Sequence, residues 1–427
     1  MHRTEVVVTG LGAITPLGGD VGSTWTALLA GDSGLRDGVL RGQEGVGLPG
    51  VVAGTMAADP AESLPPVQAR RLDRSQQAAL TAAAEAWADA GAPQVDPDRL
   101  ASSIGTGIGG VQTLLKEDDV LEASGTRRVS PRTVPMLMPN AAAALISIEY
   151  GARAGVYTPV SACSSGAEAI ALGAGLIRAG EADVVIAGGT DAAIAPITVA
   201  GFTQAQALSR HTAEPASASR PFTADRSGFV LSEGAAVLVL ESAEHAEARG
   251  ARVHAVLAGA GIAADAHHIT APAADGSGQI AAMRKALAQA GLAPEQISHI
   301  NAHATGTPVG DAAEARAIGA IFGRATVTAP KAALGHLFGA AGAIEALIAV
   351  LSVRQGVIPP TRNITDAGIG PDIDLDVVAE RRDTPQEAVL SNSFGFGGQN
   401  VSLVVTGAGR HASRTASTVG DALAFRD

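Results

Sequence analysis

Residues 160–170 read VSACSSGAEAI and contain Cys163, the single cysteine in 427 residues. A short stretch typical of a strand or turn precedes them, and an Ala-, Leu- and Ile-rich segment that predicts a helix to about Arg178 follows. A thiol at such a turn faces unpaired N–H groups and the positive end of the helix dipole, and both favour the nucleophilic thiolate. A lone cysteine is often just a small buried apolar residue, so its interpretation depends on partners elsewhere in the chain.

The amino-acid composition limits which classes of function the chain can have. The chain is 46% hydrophobic, enough for a large core and two or three structural units. We expect neither a membrane-spanning run nor a signal peptide, because the apolar runs look too short. A net charge of −12 argues against nucleic acid as the main partner, and an acidic protein partner would need a local basic patch. One cysteine excludes an intrachain disulfide and fits a cytoplasmic location.

Short Val- and Ile-rich segments alternate with Ala-rich helical segments, which indicates the α/β class. The predicted strands are Glu5–Thr9, Ser102–Gly105, Val184–Ala187, Ala236–Leu240, Ile297–Asn301 and Val401–Val405.

Two internal echoes predict a duplicated unit. Ala82–Leu100 contains a helix ending in Ala-Gly and a Pro-bearing turn before a strand, and Met283–Ile297 repeats that order. Ser165–Ile170 and Gly342–Leu347 form a second matching pair in the same order along the chain. Such matches are weak singly in an Ala- and Gly-rich chain, but together they favour duplication. The predicted units are an N-terminal half (1–250) with the nucleophile, a C-terminal half (251–408) with two candidate histidines, and a disordered tail (409–427).

Residues 105–110, GTGIGG, match the G-x-G-x-x-G pattern of dinucleotide sites and follow a predicted strand. Such a site also needs an acidic residue at the end of a second strand about 20 residues further on. Residues 120–129 predict no strand, so we interpret the glycines as a tight turn that lets the backbone approach a pocket.

Three motifs in the C-terminal half carry chemistry at the ends of elements. His303, in NAHATGTP (301–308), follows a predicted strand, at the edge where open α/β sheets bind ligands. His336, in GHLFGAAG (335–342), lies near a helix start, where the dipole favours a neutral ring able to donate to a carbonyl oxygen. The glycine-dense NSFGFGGQN (392–400) offers N–H groups for an oxyanion hole and phenylalanines for a movable plug.

Lys331 is one of three lysines among 30 basic residues, which suggests that a compact ammonium is required at that position.

His267 and His268 are interpreted as satisfied core residues and not as metal ligands, because no ligands at zinc-like spacing accompany them. From these residues alone a Cys–His hydrolase stays open, since spacing does not show that the groups converge.

The motifs resemble the β-ketoacyl-acyl carrier protein synthases of the thiolase superfamily, most closely the elongating I/II type. The likeness runs from Val6 to Val405 and rests on ACSSG at Cys163, NAHATGTP at His303, Lys331 followed by Gly-His, and SFGFGG. It implies a thiolase-like duplicated fold with five layers, αβαβα. It also implies decarboxylative Claisen condensation of a Cys-bound acyl chain with a malonyl-carrier protein, in fatty acid or type II polyketide elongation. No metal and no organic cofactor are expected.

The resemblance assigns roles to matching positions. Cys163 would hold the acyl chain as a thioester, and its N–H and that of Phe396 would form the oxyanion hole, with Phe396 as a gate. His303 and His336 would bind the malonyl thioester carbonyl as carbon dioxide leaves. Lys331 would act electrostatically, with Glu345 as its partner. Supporting residues would be Thr305, Thr307 and Asn400; the acyl pocket would contain Ile108, Thr133 and Phe202; and carrier docking would use Arg70, Arg71, Arg127, Arg128 and Arg210, for which a solvated surface role is also open.

The implied partner is an acyl carrier protein with phosphopantetheine-linked acyl and malonyl groups. The chain would form a homodimer, or a heterodimer with a chain-length factor. Thr133 stands where relatives often have an aromatic residue at the dimer side of the pocket, so the sequence leaves chain length open. A degradative thiolase would need a second cysteine, and a non-catalytic scaffold subunit would tolerate loss of Cys163.

Overall fold

The computed structural model describes residues 4–38, 51–364 and 368–409. Its α-helices are α1 (Val21–Ala30), α2 (Pro66–Ala69), α3 (Arg74–Asp89), α4 (Val111–Ser124), α5 (Thr133–Leu137), α6 (Ala141–Tyr150), α7 (Ser165–Arg178), α8 (Pro196–Gln204), α9 (Ala243–Ala248), α10 (Ser277–Ala290), α11 (Pro308–Phe322), α12 (Lys331–Leu334) and α13 (Ala341–Gln355). Its strands are β1 (Val6–Ile14), β2 (Arg36–Gly38), β3 (Val51–Gly54), β4 (Leu100–Gly105), β5 (Gly155–Tyr157), β6 (Val184–Asp191), β7 (Leu231–Ser232), β8 (Gly234–Ser242), β9 (Ala255–Ala264), β10 (His299–Asn301), β11 (Thr326–Thr328), β12 (Val357–Ile358), β13 (Asp376–Val377), β14 (Arg382–Asp383), β15 (Ala388–Gly395) and β16 (Gln399–Gly407).

Within the described residues, eleven strands form one mixed sheet in the order β13-β11-β10-β15-β16-β9-β1-β8-β6-β4-β5. Reading outward from its centre, β1-β8-β6-β4-β5 and β9-β16-β15-β10-β11 repeat the same pattern of two antiparallel pairings followed by two parallel ones. The two half-sheets join where Val7 and Val8 of β1 pair with Val256 and Ala255 of β9. The topology therefore contains the duplication that the sequence echoes predict.

Helices divide this sheet into layers. One core cluster packs the central pair, α7 and α13, against strands of both halves, whereas α3 with α6 and α10 with α11 cover the outer faces of the two half-sheets. The resulting order is αβαβα, as expected. The sequence-predicted helix after Cys163 is α7, and it ends at Arg178 as predicted.

Small residues allow the two central helices to approach closely. A Cβ atom added at Gly342 of α13 would lie 2.8 Å from Cβ of Ala167 on α7, and one added at Gly166 would lie 2.7 Å from the carbonyl oxygen of Gly339. Because both helices begin next to the same cavity, this contact brings their N-terminal ends, and the loops before them, together.

The expectation that no apolar run is long enough to cross a membrane was wrong. Residues Phe338–Gln355 are long enough and, with a mean hydropathy of 1.3, apolar enough to cross a membrane, but 89% of the segment is buried inside the fold. It is the central core helix α13 with the turn before it. The predicted boundaries at 250/251 and 408/409 stay predictions, and residues 410–427 of the predicted tail lie outside the described residues.

Candidate active site

Three of the predicted groups converge on one point. The Nε2 atom of His336 lies 3.0 Å from the sulfur of Cys163. The nearest ligand-type atoms of Cys163, His303 and His336 all lie within 4.8 Å of one another, and all three side chains are buried. The two imidazole rings stand edge to face, with centroids 5.6 Å apart. The N-terminal half supplies the sulfur and the C-terminal half supplies both rings.

The turn Ala162–Ser164 positions Cys163 directly before α7. Ala162 has a φ of 51°, a left-handed conformation that costs free energy for a residue with a side chain, so surrounding contacts must hold it. The Ser164 hydroxyl donates to the carbonyl oxygens of Ser393 (3.1 Å) and Gln399 (2.6 Å). A Cβ at Gly395 would lie 2.4 Å from the Ser161 carbonyl oxygen, so the glycine loop is pressed against the cysteine turn.

Lys331 sets the protonation of His303. Its ammonium lies 3.3 Å from Nδ1 of His303 and forms an ion pair with Glu345. An ammonium can only donate, so Nδ1 of His303 accepts and the ring proton resides on Nε2. An imidazole N–H facing the cavity donates to an oxygen and does not ligate a cation, so this arrangement suits a carbonyl better than a metal ion.

Two buried carboxylates that sequence reasoning missed hold the His303 loop. Glu314 on α11 accepts the N–H groups of His303 (2.9 Å) and Ala304 (2.7 Å). Asp311, one turn earlier, accepts the Gly306 N–H at 3.0 Å. Both residues follow the NAHATGTP motif on α11, but nothing in their spacing shows that they turn back onto the loop.

The resting thiol differs from expectation. Burial raises the pKa of Cys163 to about 11, against the opposing effects of Lys331 and of the N–H groups of Phe396 and Cys163. The expected thiolate stabilisation by the helix start is therefore outweighed by desolvation, and the resting sulfur is protonated. The 3.0 Å contact with His336 Nε2 is the path by which that proton leaves the sulfur.

Both histidines are neutral. Burial, with Lys331 nearby, places the pKa of His303 and of His336 well below the ordinary value. This agrees with the neutral ring predicted for His336, although the cause is burial and the ammonium and not a helix dipole.

A cavity of about 340 Å³ surrounds the three groups. Phe202, Phe229 and Phe338 line one side, with ring centroids of Phe202 5.3 Å from Phe229 and 5.1 Å from Phe338. Ile108 packs against this aromatic cluster. Thr133, the third predicted acyl-pocket residue, lies on α5 and is not among the residues that line this cavity in the described chain.

The predicted gate lies at the cavity mouth. Phe396 lines the cavity and remains 38% exposed, in the turn between β15 and β16. Thr305, Thr307 and Asn400 also line the cavity, and the two threonine hydroxyls are 3.0 Å apart.

The five predicted docking arginines are all exposed. Arg210 lines a neighbouring groove of about 590 Å³ that shares Gln206, Phe229 and Pro308 with the catalytic cavity. Arg71 lines a separate groove between α2 and α6. The remaining three, Arg70, Arg127 and Arg128, lie outside the linings of these cavities.

The interpretation of His267 and His268 as core residues was wrong. Both are exposed in the loop after β9, where Nδ1 of His268 accepts the N–H groups of Thr270 (3.2 Å) and Ala271 (3.1 Å). Their dipeptide carries no periodicity that separates a core strand from a loop.

Comparisons with known proteins agree with this geometry. Models of the β-ketoacyl synthase N-terminal and C-terminal domains match residues 3–246 and 254–365. A 3-oxoacyl-[acyl-carrier-protein] synthase 2 of Mycobacterium bovis is 46% identical, over 93% of this chain and 96% of the relative. Among solved structures, the ishigamide ketosynthase/chain length factor is similar at a TM-score of 0.86 and 33% identity, over 95% of this chain and 99% of that chain. A type II polyketide synthase acyl-carrier protein in complex with its ketosynthase bound to the hexaketide matches at 0.86 and 29%, over 95% and 100%.

Proposed function

The chain belongs to the β-ketoacyl synthase family, and on that premise we propose that it is a 3-oxoacyl-[acyl-carrier-protein] synthase. It condenses a cysteine-bound acyl chain with a malonyl thioester. The observation that carries this proposal is the 3.0 Å contact between His336 Nε2 and the Cys163 sulfur, with the His303 ring beside it.

In the first half-reaction the Cys163 sulfur attacks the acyl thioester carbonyl, and its proton passes by way of His336 to the departing carrier thiol. The N–H groups of Cys163 and Phe396, which both act on the sulfur in the resting site, face the oxygen that gains charge. A carbon–sulfur bond to Cys163 forms, and the one to the carrier breaks.

In the second half-reaction a malonyl thioester replaces the first carrier. The Nε2–H of His303, whose position Lys331 sets, donates to the thioester carbonyl oxygen. The neighbouring His336 ring binds the same oxygen. The carbon–carboxylate bond breaks, carbon dioxide leaves, and the remaining enolate attacks the acyl carbon on Cys163. The products are a 3-oxoacyl thioester and the free thiolate, which regains a proton.

Two sequential half-reactions in one cavity give ping-pong kinetics. The test is reconstitution of the purified chain with an acyl carrier protein and a malonyl-carrier protein. We expect one carbon dioxide and one 3-oxoacyl-carrier per acyl group consumed; hydrolysis of the acyl carrier without carbon–carbon bond formation would identify a hydrolase instead.

We favour fatty acid elongation as the context, because the relative named a 3-oxoacyl synthase has the higher identity. We also propose a cytoplasmic location, which a chain with a single cysteine fits. The exposed side chain of Arg210 supports carrier docking near the cavity mouth, since an acidic carrier needs local positive charge on a chain of net charge −12.

The alternative context, polyketide elongation, rests on the likeness to ketosynthases with a chain length factor or carrier. Assaying a saturated acyl carrier against a 3-oxoacyl carrier as primer separates the two.

We propose that a second synthase-like chain covers the β5 edge of the sheet. β5 is the terminal strand, and apolar side chains around it are exposed: Val156 by 44%, Val160 by 52% and Ile148 by 78%. An edge strand with exposed apolar neighbours invites pairing with another chain. Sedimentation of the chain alone would show twice the mass of one chain for a homodimer, whereas a monomer would favour the heterodimer with a chain-length factor.

A further inference from the structure

Asp191, the last residue of β6, is fully buried beside the catalytic cavity. Its Oδ1 accepts the Thr106 hydroxyl at 3.0 Å, and its Oδ2 accepts the N–H groups of Gly107 and Gly339, each at 2.7 Å. One carboxylate thus binds two loops that come from different halves of the chain.

The two loops carry different parts of the site. Gly107 precedes Ile108, which packs in the aromatic cluster of the cavity wall. Gly339 follows Phe338, whose ring stacks on His336 with centroids 5.3 Å apart and an interplanar angle of 26°. Asp191 therefore connects the wall of the acyl pocket with the loop that aims His336.

The junction is tightly packed around Gly339. A Cβ at Gly339 would lie 2.4 Å from the Gly107 nitrogen and 2.6 Å from Oδ2 of Asp191. Phe338 is itself held at a φ of 53°, a conformation that a phenylalanine adopts only under constraint. The hydrogen bond to the next residue, Gly339, supplies a constraint.

The charge of Asp191 does not activate the nucleophile. It raises the pKa of Cys163, and burial raises its own pKa to about 6. A buried negative charge that opposes thiolate formation is unfavourable to the first half-reaction, so its contribution must lie in geometry.

We propose that Asp191 is a positioning residue for His336, because it locks the Gly107–Ile108 turn to the Phe338–Gly339 turn and so holds the imidazole in line with the Cys163 sulfur. This inference rests on the proposed function. Loss of the lock displaces His336, which relays the Cys163 proton in the first half-reaction and binds the malonyl carbonyl in the second. The cysteine turn and its N–H donors keep their separate anchor through Ser164, so the second half-reaction loses more than the first.

The test compares Asp191→Asn and Asp191→Ala with the parent enzyme in two separate assays. Acyl loading is followed by intact mass, and carbon dioxide release is measured per acylated site. We expect the decarboxylation kcat to fall about tenfold or more, since small misplacements of a catalytic group have large effects. Loading should also fall, because His336 relays the thiol proton, but by a smaller factor, because the nucleophile and its N–H donors stay in place. Asn keeps one oxygen acceptor, so it should retain more activity than Ala.

Glu241→Gln is the matched control, because Glu241 is an equally buried carboxylate bonded to Thr9, His245 and Arg249 and does not line the cavity. It should lower the thermal midpoint without changing the ratio of the two half-reaction rates. Thr106→Val, which removes a single partner of Asp191, should shift that ratio in the same direction but less, and it serves if the Asp191 variants do not fold.

A decarboxylation rate per acylated site equal to that of the parent in Asp191→Asn would overturn the proposal. So would an equal loss in both half-reactions that follows the folded fraction, or an unchanged ratio in Thr106→Val when the Asp191 variants are insoluble. If the parent enzyme neither loads nor decarboxylates, it is the proposed function that fails.

Discussion

The two halves of the molecule have the same backbone plan and different chemistry. Before α7, a turn starts at Ala162 with a φ of 51°, and before α13 a turn of the same length starts at Phe338 with a φ of 53°. The next residue is Cys163 in the first half and Gly339 in the second. The Gly339 N–H binds a carboxylate of the protein itself, whereas the Cys163 N–H is directed at the reacting sulfur.

The strand ends differ in the same way. The turn after β4 is glycine-rich and packs Ile108 against the aromatic cluster, while the turn after β10, its counterpart, carries His303. Duplication thus placed equivalent loops around one cavity. Because the residues in those loops differ, the N-terminal half carries the nucleophile and the C-terminal half carries the two proton-donating histidines. The function requires both, so variants in either half should fail differently.

The largest expected effect comes from the N-terminal half. Cys163→Ser should lower 3-oxoacyl formation by about a thousandfold or more, because a serine hydroxyl in this neutral environment is a far weaker nucleophile. Product formation is measured by mass spectrometry of the carrier protein, with the thermal midpoint as a check on folding. Condensation at the full rate would show that the sulfur is not the nucleophile.

The C-terminal half should fail at another step. His303→Ala should lower carbon dioxide release from the malonyl carrier about a hundredfold or more, by removing an N–H donor to the developing enolate. Acyl loading of Cys163 should fall much less, because His336 and the two N–H groups remain. Equal losses in both assays would contradict the division of labour between the halves.

The sequence predicted the α/β class and the duplication, and its motifs at strand and helix ends singled out Cys163, His303 and His336. The spacing of these motifs did not show that the three groups converge, and Thr133, predicted for the acyl pocket, does not line the cavity. It did not predict Glu314 holding the His303 loop or Asp191 joining two loops, because such contacts depend on the packing of distant elements. The prediction of a thiolate at Cys163 was also wrong. The helix start that favours a thiolate was visible in the sequence, but the burial that outweighs it was not.

A smaller effect is expected on the reactivity of the Cys163 thiol, which Lys331 in the C-terminal half influences. Since the pKa of Cys163 is raised to about 11, alkylation by iodoacetamide should accelerate about tenfold per pH unit between pH 7 and 10. Lys331→Met should slow it several-fold at each pH, because the ammonium lowers the pKa of the thiol. A rate plateau near pH 7 would contradict both.

The same raised pKa affects stability. A thiol whose folded pKa lies above its unfolded value of about 9 stabilises the fold fully below pH 9, and this contribution is lost as pH rises towards 11.

The smallest effect concerns the link between the halves. Ser164→Ala removes hydroxyl bonds to Ser393 and Gln399 in the other half, and should lower the free energy of unfolding by about 1 kcal/mol in urea titration. Ser103→Ala is the matched control, because among the described residues its buried hydroxyl bonds to the carbonyl oxygen of Ala169, away from the cysteine turn. We expect a similar loss of stability in both, but a change in acyl-loading rate in Ser164→Ala alone; indistinguishable kinetics would mean that the link does not position the cysteine.

The most direct measurement is the intact mass of the purified protein, first after incubation with an acyl carrier and then after addition of a malonyl carrier. The two-half account predicts one acyl group per chain, located on Cys163 by peptide mapping, and its discharge with release of one carbon dioxide. An unmodified chain, an acyl group on another residue, or discharge as free acid without a new carbon–carbon bond would contradict it.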